Sequence, residues 1–540
     1  MNKFFKPWLL LLLFNVTSTT LVWADTTSSQ NTDNTSQPAT ITSHMQEKSV
    51  HLINKHSSSN NSQASSSQSK SKNKKAQSDT VPTQIMEPVN ASGMTETTSG
   101  THTQQLFVTG PQSFPIDIDV PGQSFVSTGP YIGVPLLYSG GNLIINSPNI
   151  NEDVTLLNMR KAIRERLVAL GRPIEEDHAH LLLSGIVEGQ VFYESPGVGA
   201  TTSGVDVSSA ELDAYILGPS SWTSGLLAFN YDSDVGTNTG ALSSNSRTSN
   251  SRVFVSKAFI TIGDFQKSPV YGSIGQMYVP FGTYSSNMLS STLTKILGRT
   301  KERALLVGYQ QQGANALYGS IYVFGGPTYV GSQNRLNNSG INLGYRYALG
   351  ERYSGDVGVG VIANLADSVG MQFNGNRSPQ FGGFGAPNNY GNEQLVHRVS
   401  ALDLRGLFSI GKSIDIVAEY VAALSAFSPA DLTFNTHGAK PQALNVEFAY
   451  TFSIFEKPST IAVGYGKSKD GLALGLALDR YSIVFNTSIW KDTLQGLEFR
   501  HDINYAAGNF ATGNGTAVTK LITGAGKSDN MLTAQFDIFF

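Results

Sequence analysis

The sequence predicts an all-β fold: a transmembrane antiparallel β-barrel of about 16 strands, preceded by a disordered N-terminal tail and a small periplasmic element. Three observations predict it. From about residue 181 onward, apolar and polar residues alternate with a period of two, as in a sheet with one apolar and one polar face. Short connections and long connections alternate along this part of the chain. The chain ends in an alternating strand whose last residue is Phe540.

Composition argues against a set of ordinary soluble domains. Only 14% of the 540 residues are charged and 54 are glycine, whereas about a quarter of a typical soluble domain is charged. The chain has no cysteine, so an exported protein of this sequence needs a closed hydrogen-bond ladder in place of disulfides. The net charge of -3 gives no reason to expect nucleic acid as a partner.

Residues 1–24 predict a signal peptide. Lys3 and Lys6 make a positive n-region, Leu9 to Leu13 belong to a short apolar h-region, and Ala24 ends a candidate cleavage site. An uncleaved anchor is the alternative, but it needs roughly 20 apolar residues and Asn15 interrupts this stretch. No later segment approaches the length of a membrane-spanning helix.

Two further segments separate the signal peptide from the barrel. Residues 25–104 are rich in Ser, Thr, Asn and Gln and predict a disordered tail, because they can bury too little apolar surface to offset the entropy of ordering. Residues 105–180 predict a small periplasmic element or partial plug. Its main feature is a helix over 154–170, capped by Asn151 or Asp153 and ended by Gly171 and Pro173.

Residues 181–540 are predicted to form the barrel. In segment 401–411, for example, Leu402 and Leu404 alternate with Asp403 and Arg405. Strands are expected near 181–194, 208–218, 221–231, 252–264, 269–281, 302–312, 316–326, 339–349, 354–366, 398–411, 413–426, 441–454, 458–468, 480–490, 494–506 and 530–540.

The alternation of connection lengths favours a membrane barrel over a soluble sandwich. Short periplasmic turns and long extracellular loops are typical of the outer membrane, whereas a sandwich has no reason to keep that order. An even number of strands places both termini on the periplasmic side of the cell outer membrane. The final strand, ending in Phe540, resembles the signal that is read by the outer-membrane assembly machinery.

The predicted inner face carries charges of both signs. A barrel of about 16 strands encloses a water-filled channel, in which such charges can steer solutes. The alternative is that they pair with one another and only keep the wall rigid. The candidate lumen residues are Arg346, Asp403, Arg405, Asp415, Glu419, Glu447, Glu498, Arg500 and Asp502.

The third long loop, 282–301, differs from the others because it contains the apolar residues Leu293, Ile296 and Leu297. A loop that folds into a lumen needs apolar anchors as well as polar groups that face the pore. We therefore expect this loop to form the constriction, with its cations attracting anions; an ordinary surface loop is the alternative. The candidate constriction residues are Arg299, Lys301, Glu302 and Arg303.

Enzyme signatures are missing from the sequence: there is no Gly-x-Ser-x-Gly, zinc pattern or P-loop. We therefore expect no catalytic activity, no cofactor and no metal ion.

Four stretches resemble the siderophore-porin family typified by the legiobactin receptor. They are Gly129 to Gly133, Pro148 to Asn151, Gly275 to Gly282 and Leu497 to Asp502, within a resemblance that spans 125–540. The resemblance implies a 16-stranded barrel that binds and passes ferric siderophores, but it supplies no ligand residues. Members often carry a short coiled coil after the signal peptide, where this chain has low-complexity sequence.

The leading functional hypothesis is an outer-membrane porin or receptor that passes a small solute through a charged lumen, the solute being a ferric siderophore if the resemblance holds. A general or anion-selective porin is one alternative. An adhesin or structural barrel that acts through its long extracellular loops is another. The expected partners are outer-membrane lipid, the small solute and the outer-membrane assembly machinery.

Overall fold

A computed structural model describes residues 117–120, 124–128, 137–139, 142–144, 153–158, 160–161 and 180–540, the last range with gaps at 219, 233–251, 333–335, 351, 375–379, 386–392, 412, 456, 491–492 and 515–520. The predicted signal peptide and the predicted tail over 25–104 lie outside the described residues.

Sixteen long strands form the barrel. They are β1 (His180–Ser195), β2 (Thr202–Leu217), β3 (Thr223–Asp232), β4 (Arg252–Gly263), β5 (Val270–Tyr278), β6 (Lys301–Gln310), β7 (Ala316–Phe324), β8 (Asn338–Leu349), β9 (Tyr353–Ile362), β10 (Ala401–Ile410), β11 (Ile414–Ala423), β12 (Gln442–Ile454), β13 (Lys457–Lys469), β14 (Asp479–Thr487), β15 (Thr493–Ile503) and β16 (Ser528–Phe539). Each strand pairs antiparallel with the next along the chain.

The sheet closes on itself. β16 pairs antiparallel with β1, with Asp537 opposite Glu188. At the end of this seam, Phe540 and Gly185 exchange backbone hydrogen bonds of 2.9 and 3.0 Å. Closure removes the open sheet edges that cannot exist in a bilayer. The predicted all-β antiparallel barrel of 16 strands is therefore confirmed.

The two faces of the wall differ in polarity. On β10, Asp403 and Arg405 face inward and are 0% and 7% exposed, whereas Leu404 between them faces outward and is 45% exposed. The same alternation recurs around the ring, for example at Ile341 and Leu343 on β8. Exposed apolar side chains on a closed barrel form the surface that lipid covers, and the polar groups line the interior.

After the six-residue connection between β1 and β2, short and long connections alternate, so the barrel has a short-turn end and a long-loop end. β2 begins at Thr202, six residues earlier than the sequence predicts. The difference from the prediction arises because a bulge opposite Glu188 and Gly189 shifts the register of β2. Val205 and Val207 are exposed before the bulge, and Leu212 after it, so the period of two changes phase within one strand.

The N-terminal described segments form short elements. Asp117–Val120 pairs antiparallel with Ser124–Thr128, and Leu137–Ser139 pairs with Asn142–Ile144. The backbone of Ser124–Thr128 also pairs in parallel with the first four residues of β1, beyond the point where β16 ends. Residues 153–158, 160 and 161 are helical and are called the N-terminal helical segment below. The rest of the helix predicted over 154–170 lies outside the described residues.

The long loops contain further small elements. Helix α1 is Leu293–Gly298 and helix α2 is Val369–Gln372. Single 3-10 turns span Leu365–Asp367 and Leu472–Leu474. Small sheets pair Tyr329–Val330 with Gln394–Leu395, and join His437–Gly438, Leu432–Phe434, Phe510–Gly513 and Ile522–Thr523 in that order. Within the described parts of the chain, no helix is both long and apolar enough to cross a bilayer.

Candidate functional site

The loop between β5 and β6, residues 279–300, is called L3. Leu293, Ile296 and Leu297 on its helix α1 are buried. Glycines on β13 leave room for the loop, since a Cβ added at Gly466 would lie 3.2 Å from Leu293 Cδ1. L3 makes polar contacts with β11, β12, β14 and β15. These strands lie across the 16-stranded ring from β5, so L3 crosses the lumen.

Glu447 on β12 holds the middle of L3. Its carboxylate accepts the Ser286 hydroxyl at 2.6 Å and the Asn287 backbone amide at 2.8 Å. The Asn445 side-chain amide, also on β12, donates to the same carboxylate at 2.9 Å. Glu447 is 1% exposed. Because breaking these contacts would leave buried polar groups without partners, this side chain fixes the position of the loop.

Two more glutamates hold L3 in the same manner on either side of Glu447. Glu419 on β11 accepts the backbone amides of Thr283 at 2.7 Å and Tyr284 at 2.9 Å. Glu498 on β15 accepts the amide of Ser290 at 2.8 Å and also its hydroxyl. Three of the predicted lumen carboxylates are therefore brought together along L3, where they bind the loop.

The ion pair of Arg480 and Asp502 lies where L3 approaches β14 and β15. Arg480 Nε and Nη2 donate to the two oxygens of Asp502 at 2.7 and 2.8 Å, and Nη1 donates to the Ser291 carbonyl at 2.8 Å. Arg500 Nε lies 3.3 Å from the same carboxylate. Arg480 was missed in the sequence analysis, although its cross-strand partner Asp502 was named.

The other predicted lumen charges pair within the wall. Arg405 donates to Asp403 at 2.8 Å on the same strand. Arg346 lies 3.7 Å from Asp356 on the neighbouring strand, and Asp415 accepts a serine hydroxyl across its hairpin. These contacts neutralise charge locally and keep the wall rigid.

The four candidate constriction residues are not on one surface. The Arg299 guanidinium lies 5.1 Å from the centre of the Tyr278 ring, and Lys301 Nζ lies 5.7 Å from it, so these two cations are neighbours. Glu302 is opposite a buried inward residue of β5. Arg303 is exposed and alternates with Ala304, which faces inward, so it lies on the outer face.

A second long loop, residues 363–400, forms hydrogen bonds with the C-terminal end of α1. The Ser368 hydroxyl donates to the Leu297 carbonyl at 2.7 Å, and the Val369 amide donates to the Arg299 carbonyl at 2.8 Å. Both carbonyls belong to the C-terminal end of α1, where backbone acceptors are left without helical partners. The position of Arg299 is therefore set by two loops.

The N-terminal helical segment lies inside the short-turn end of the barrel. Leu156 and Leu157 are buried, and the inward Tyr215 hydroxyl donates to the Leu156 carbonyl at 3.0 Å. Burial raises the pKa of the Asp153 carboxyl, an effect that the Ser273 hydroxyl, donating at 2.8 Å, partly offsets.

Relatives of known sequence match most of the chain. No protein-family model matches the chain. A UPF0422 protein of Coxiella burnetii is 41% identical over 418 residues, which cover 77% of this chain and 84% of that protein. A UPF0422 protein of Legionella pneumophila strain Lens is 37% identical over 422 residues, which cover 77% of this chain and 76% of that protein. The chain belongs to the UPF0422 family.

Solved structures similar to this UPF0422 protein are outer-membrane channels. The channel DcaP of Acinetobacter baumannii has 14% identity and a TM-score of 0.40, with coverage of 67% of this chain and 97% of that chain. An anion-selective porin from Comamonas acidovorans has 10% identity and a TM-score of 0.42, with coverage of 67% and 100%. At these TM-scores, the fold of the UPF0422 chain rests on its own strand register and closure.

Two lysines in the interior of the UPF0422 barrel were missed in the sequence analysis. Lys257 on β4 pairs with Glu211 at 2.9 Å and is 2% exposed. Lys295 lies on α1, one helical turn before Arg299. Burial, and then the positive charge of Arg299, lower the pKa of Lys295 well below its ordinary value, while Glu188 on β1 opposes the shift. The four-residue spacing of Lys295 and Arg299 between apolar residues was a sequence signal for this pair.

The interior of the UPF0422 barrel thus has unlike charges on facing surfaces. Lys295 and Arg299 lie on L3, and the carboxyls of Glu188 and Asp537 face each other across the seam of β1 and β16. Such an arrangement orients dipolar solutes in a narrow passage. In the part of the chain that is described, no group of three or more His, Cys, Asp or Glu side chains is placed to hold a metal ion.

Proposed function

We propose that this protein is an outer-membrane channel that passes small polar solutes, and that L3 forms its constriction. The observation that carries the proposal is the way L3 is held. A loop that crosses a closed polar lumen and is bound by three wall carboxylates, Glu419, Glu447 and Glu498, narrows the passage without being free to leave it. A barrel that only displayed surface loops would have no need of this device.

The membrane location and the orientation are part of the proposal. Exposed apolar side chains such as Val307 and Ile321 support a lipid-covered belt. With sixteen strands, β1 begins and β16 ends at the short-turn end, which we place in the periplasm together with both termini. The short turns and the N-terminal helical segment are then periplasmic and the long loops extracellular. The last strand, ending in Phe540, is then available to the outer-membrane assembly machinery.

The solutes favoured by this channel are anions. Arg299 and Lys301 stack against one tyrosine ring beside the constriction, and Lys295 lies one helical turn away. A ferric siderophore, which the family resemblance implies, is one solute of this class if its iron complex is negatively charged. General passage of small anions is supported equally by the same cations.

Planar-bilayer recording tests the channel. Purified protein should give discrete conductance steps, with a reversal potential in a KCl gradient that indicates preference for chloride. An Arg299→Ala/Lys301→Ala variant should lose part of that preference, whereas Lys467→Ala, which removes a half-exposed cation paired with Asp479 in the long-loop region, should keep it. A folded protein that carries no current would contradict the channel and leave adhesion through the long loops as the function to examine.

Iron uptake tests the choice of solute separately. A strain that lacks this protein is compared with the same strain carrying the wild-type gene, using ferric siderophores of different net charge. Uptake that is equal in both strains, with equal growth under iron limitation, would exclude the siderophore and leave the channel intact.

A further inference from the structure

L3 and the N-terminal helical segment both lie in the lumen, and they are held differently. L3 is bound by carboxylates on three strands of the wall. The N-terminal helical segment lies at the short-turn end, where Asp153 and Leu156 are buried against inner-wall side chains. It belongs to a part of the chain that precedes the barrel, so none of its contacts is part of the β-ladder that keeps the barrel closed.

The polar contacts of the N-terminal helical segment form three points of attachment. Ser273 on β5 donates to Asp153 at 2.8 Å, and Tyr215 on β2 donates to the Leu156 carbonyl at 3.0 Å. Arg160 donates to the carbonyls of Ser220 and Thr223, around the turn between β2 and β3, at 2.6 and 3.1 Å. The wall groups in these contacts are side chains that face inward or carbonyls of the turn. The segment therefore occupies space that would otherwise be open lumen.

The wall is shaped to receive this segment. Gly263 at the end of β4 has no side chain where Leu157 packs, and a Cβ there would lie 3.1 Å from Leu157 Cδ1. A small cleft lies beside the contact and is lined by Leu157, Arg160 and Phe265, among others.

We propose that the N-terminal helical segment is a displaceable plug that closes the periplasmic mouth of the barrel and leaves it when the channel conducts. This inference rests on the proposed channel function and adds a gate to it. Displacement breaks the three attachments and uncovers two leucines, but it leaves every barrel strand pair intact. L3 stays seated throughout, because its carboxylate contacts are independent of the segment.

A reversible crosslink tests the plug. The chain has no cysteine, so Asp153→Cys/Ser273→Cys places one thiol pair between the segment and β5, at a contact that is 2.8 Å between oxygens in the wild type. Bilayer conductance is recorded after oxidation and again after reduction of the same channels. We expect the oxidised channel to conduct at least several-fold less than the reduced one. Equal conductance in the two states would overturn the plug.

A matched control separates the plug from a general effect of a disulfide. Thr451→Cys/Thr460→Cys crosslinks β12 to β13 at the same end of the barrel, where the two hydroxyls are 2.8 Å apart and the segment is not in contact. Its conductance should be the same after oxidation and reduction. Arg160→Ala should raise the open probability, because one of the three attachments, with its two hydrogen bonds, is lost. If all reduced variants fail to conduct although folded, the channel itself is refuted and the plug with it.

Discussion

Glu447 gives a quantitative test of how L3 is kept in the lumen. Glu447→Ala removes the acceptor of the Ser286 hydroxyl and of the Asn287 amide. Leaving a buried hydrogen-bonding group without its partner costs roughly 1–3 kcal/mol, so with two such groups the seated position of L3 loses roughly 2–6 kcal/mol. Since about 1.4 kcal/mol is a tenfold change, the ratio of seated to released loop falls by about one to four orders of magnitude.

The assay is single-channel conductance in planar bilayers. Glu447→Ala should give larger and noisier steps than the wild type, because a released L3 no longer narrows the lumen. Glu447→Gln keeps one acceptor oxygen and should lie between the two. Asp356→Ala is the matched control, since Asp356 is a wall carboxylate whose partners Tyr318 and Arg346 are also on the wall. Wild-type steps from a folded Glu447→Ala barrel would refute the role given to the carboxylate.

Three further outcomes are expected. Because burial and Arg299 lower the pKa of Lys295, its positive charge is present below that pKa and lost as the pH rises through it, so anion preference in reversal potentials should fall with rising pH. Arg299→Ala should move this fall to higher pH; an unmoved profile would contradict the coupling. Gly275 has φ +141° and a Cβ there would lie 2.2 Å from a backbone oxygen of β4, so Gly275→Ala should lower the unfolding free energy by about 1–3 kcal/mol in urea titrations. Gly185→Ala places a Cβ 2.4 Å from the C-terminal aromatic ring and should reduce the fraction of protein that migrates as a folded barrel in unheated gel samples. Gly189→Ala, whose Cβ has its nearest neighbouring atom at 3.9 Å, should leave that fraction unchanged.

The barrel could be predicted from the sequence because a strand in a two-faced wall repeats every two residues. On β10, Leu404 is apolar because it faces outward towards lipid, and Asp403 is polar because it faces inward towards polar contacts. Each position therefore shows its own side of the wall in the sequence. β2 is longer than the sequence predicts because its alternation is interrupted. The bulge beside Gly189 changes the phase of the alternation between Val207 and Leu212, and a fixed period of two does not follow such a change.

The candidate site was less predictable, because its contacts join residues distant in sequence. Glu447 and Asn287 are 160 positions apart, and nothing local distinguishes a carboxylate that binds L3 from one that faces water. The apolar residues of α1 did identify L3 as an unusual loop. The outward position of Arg303 follows from its alternation with Ala304 along β6, which could have been read from the sequence.

The overhang of β1 beyond β16 has a consequence for the order in which the molecule is built. Strand Ser124–Thr128 pairs with the part of β1 that continues past Gly185, where Phe540 ends the last strand. The surface that contacts the N-terminal helical segment is likewise formed by β2 and β5. These N-terminal elements can therefore take up their positions only after β1, β2 and β5 have formed, and their docking reports that this part of the wall is in place.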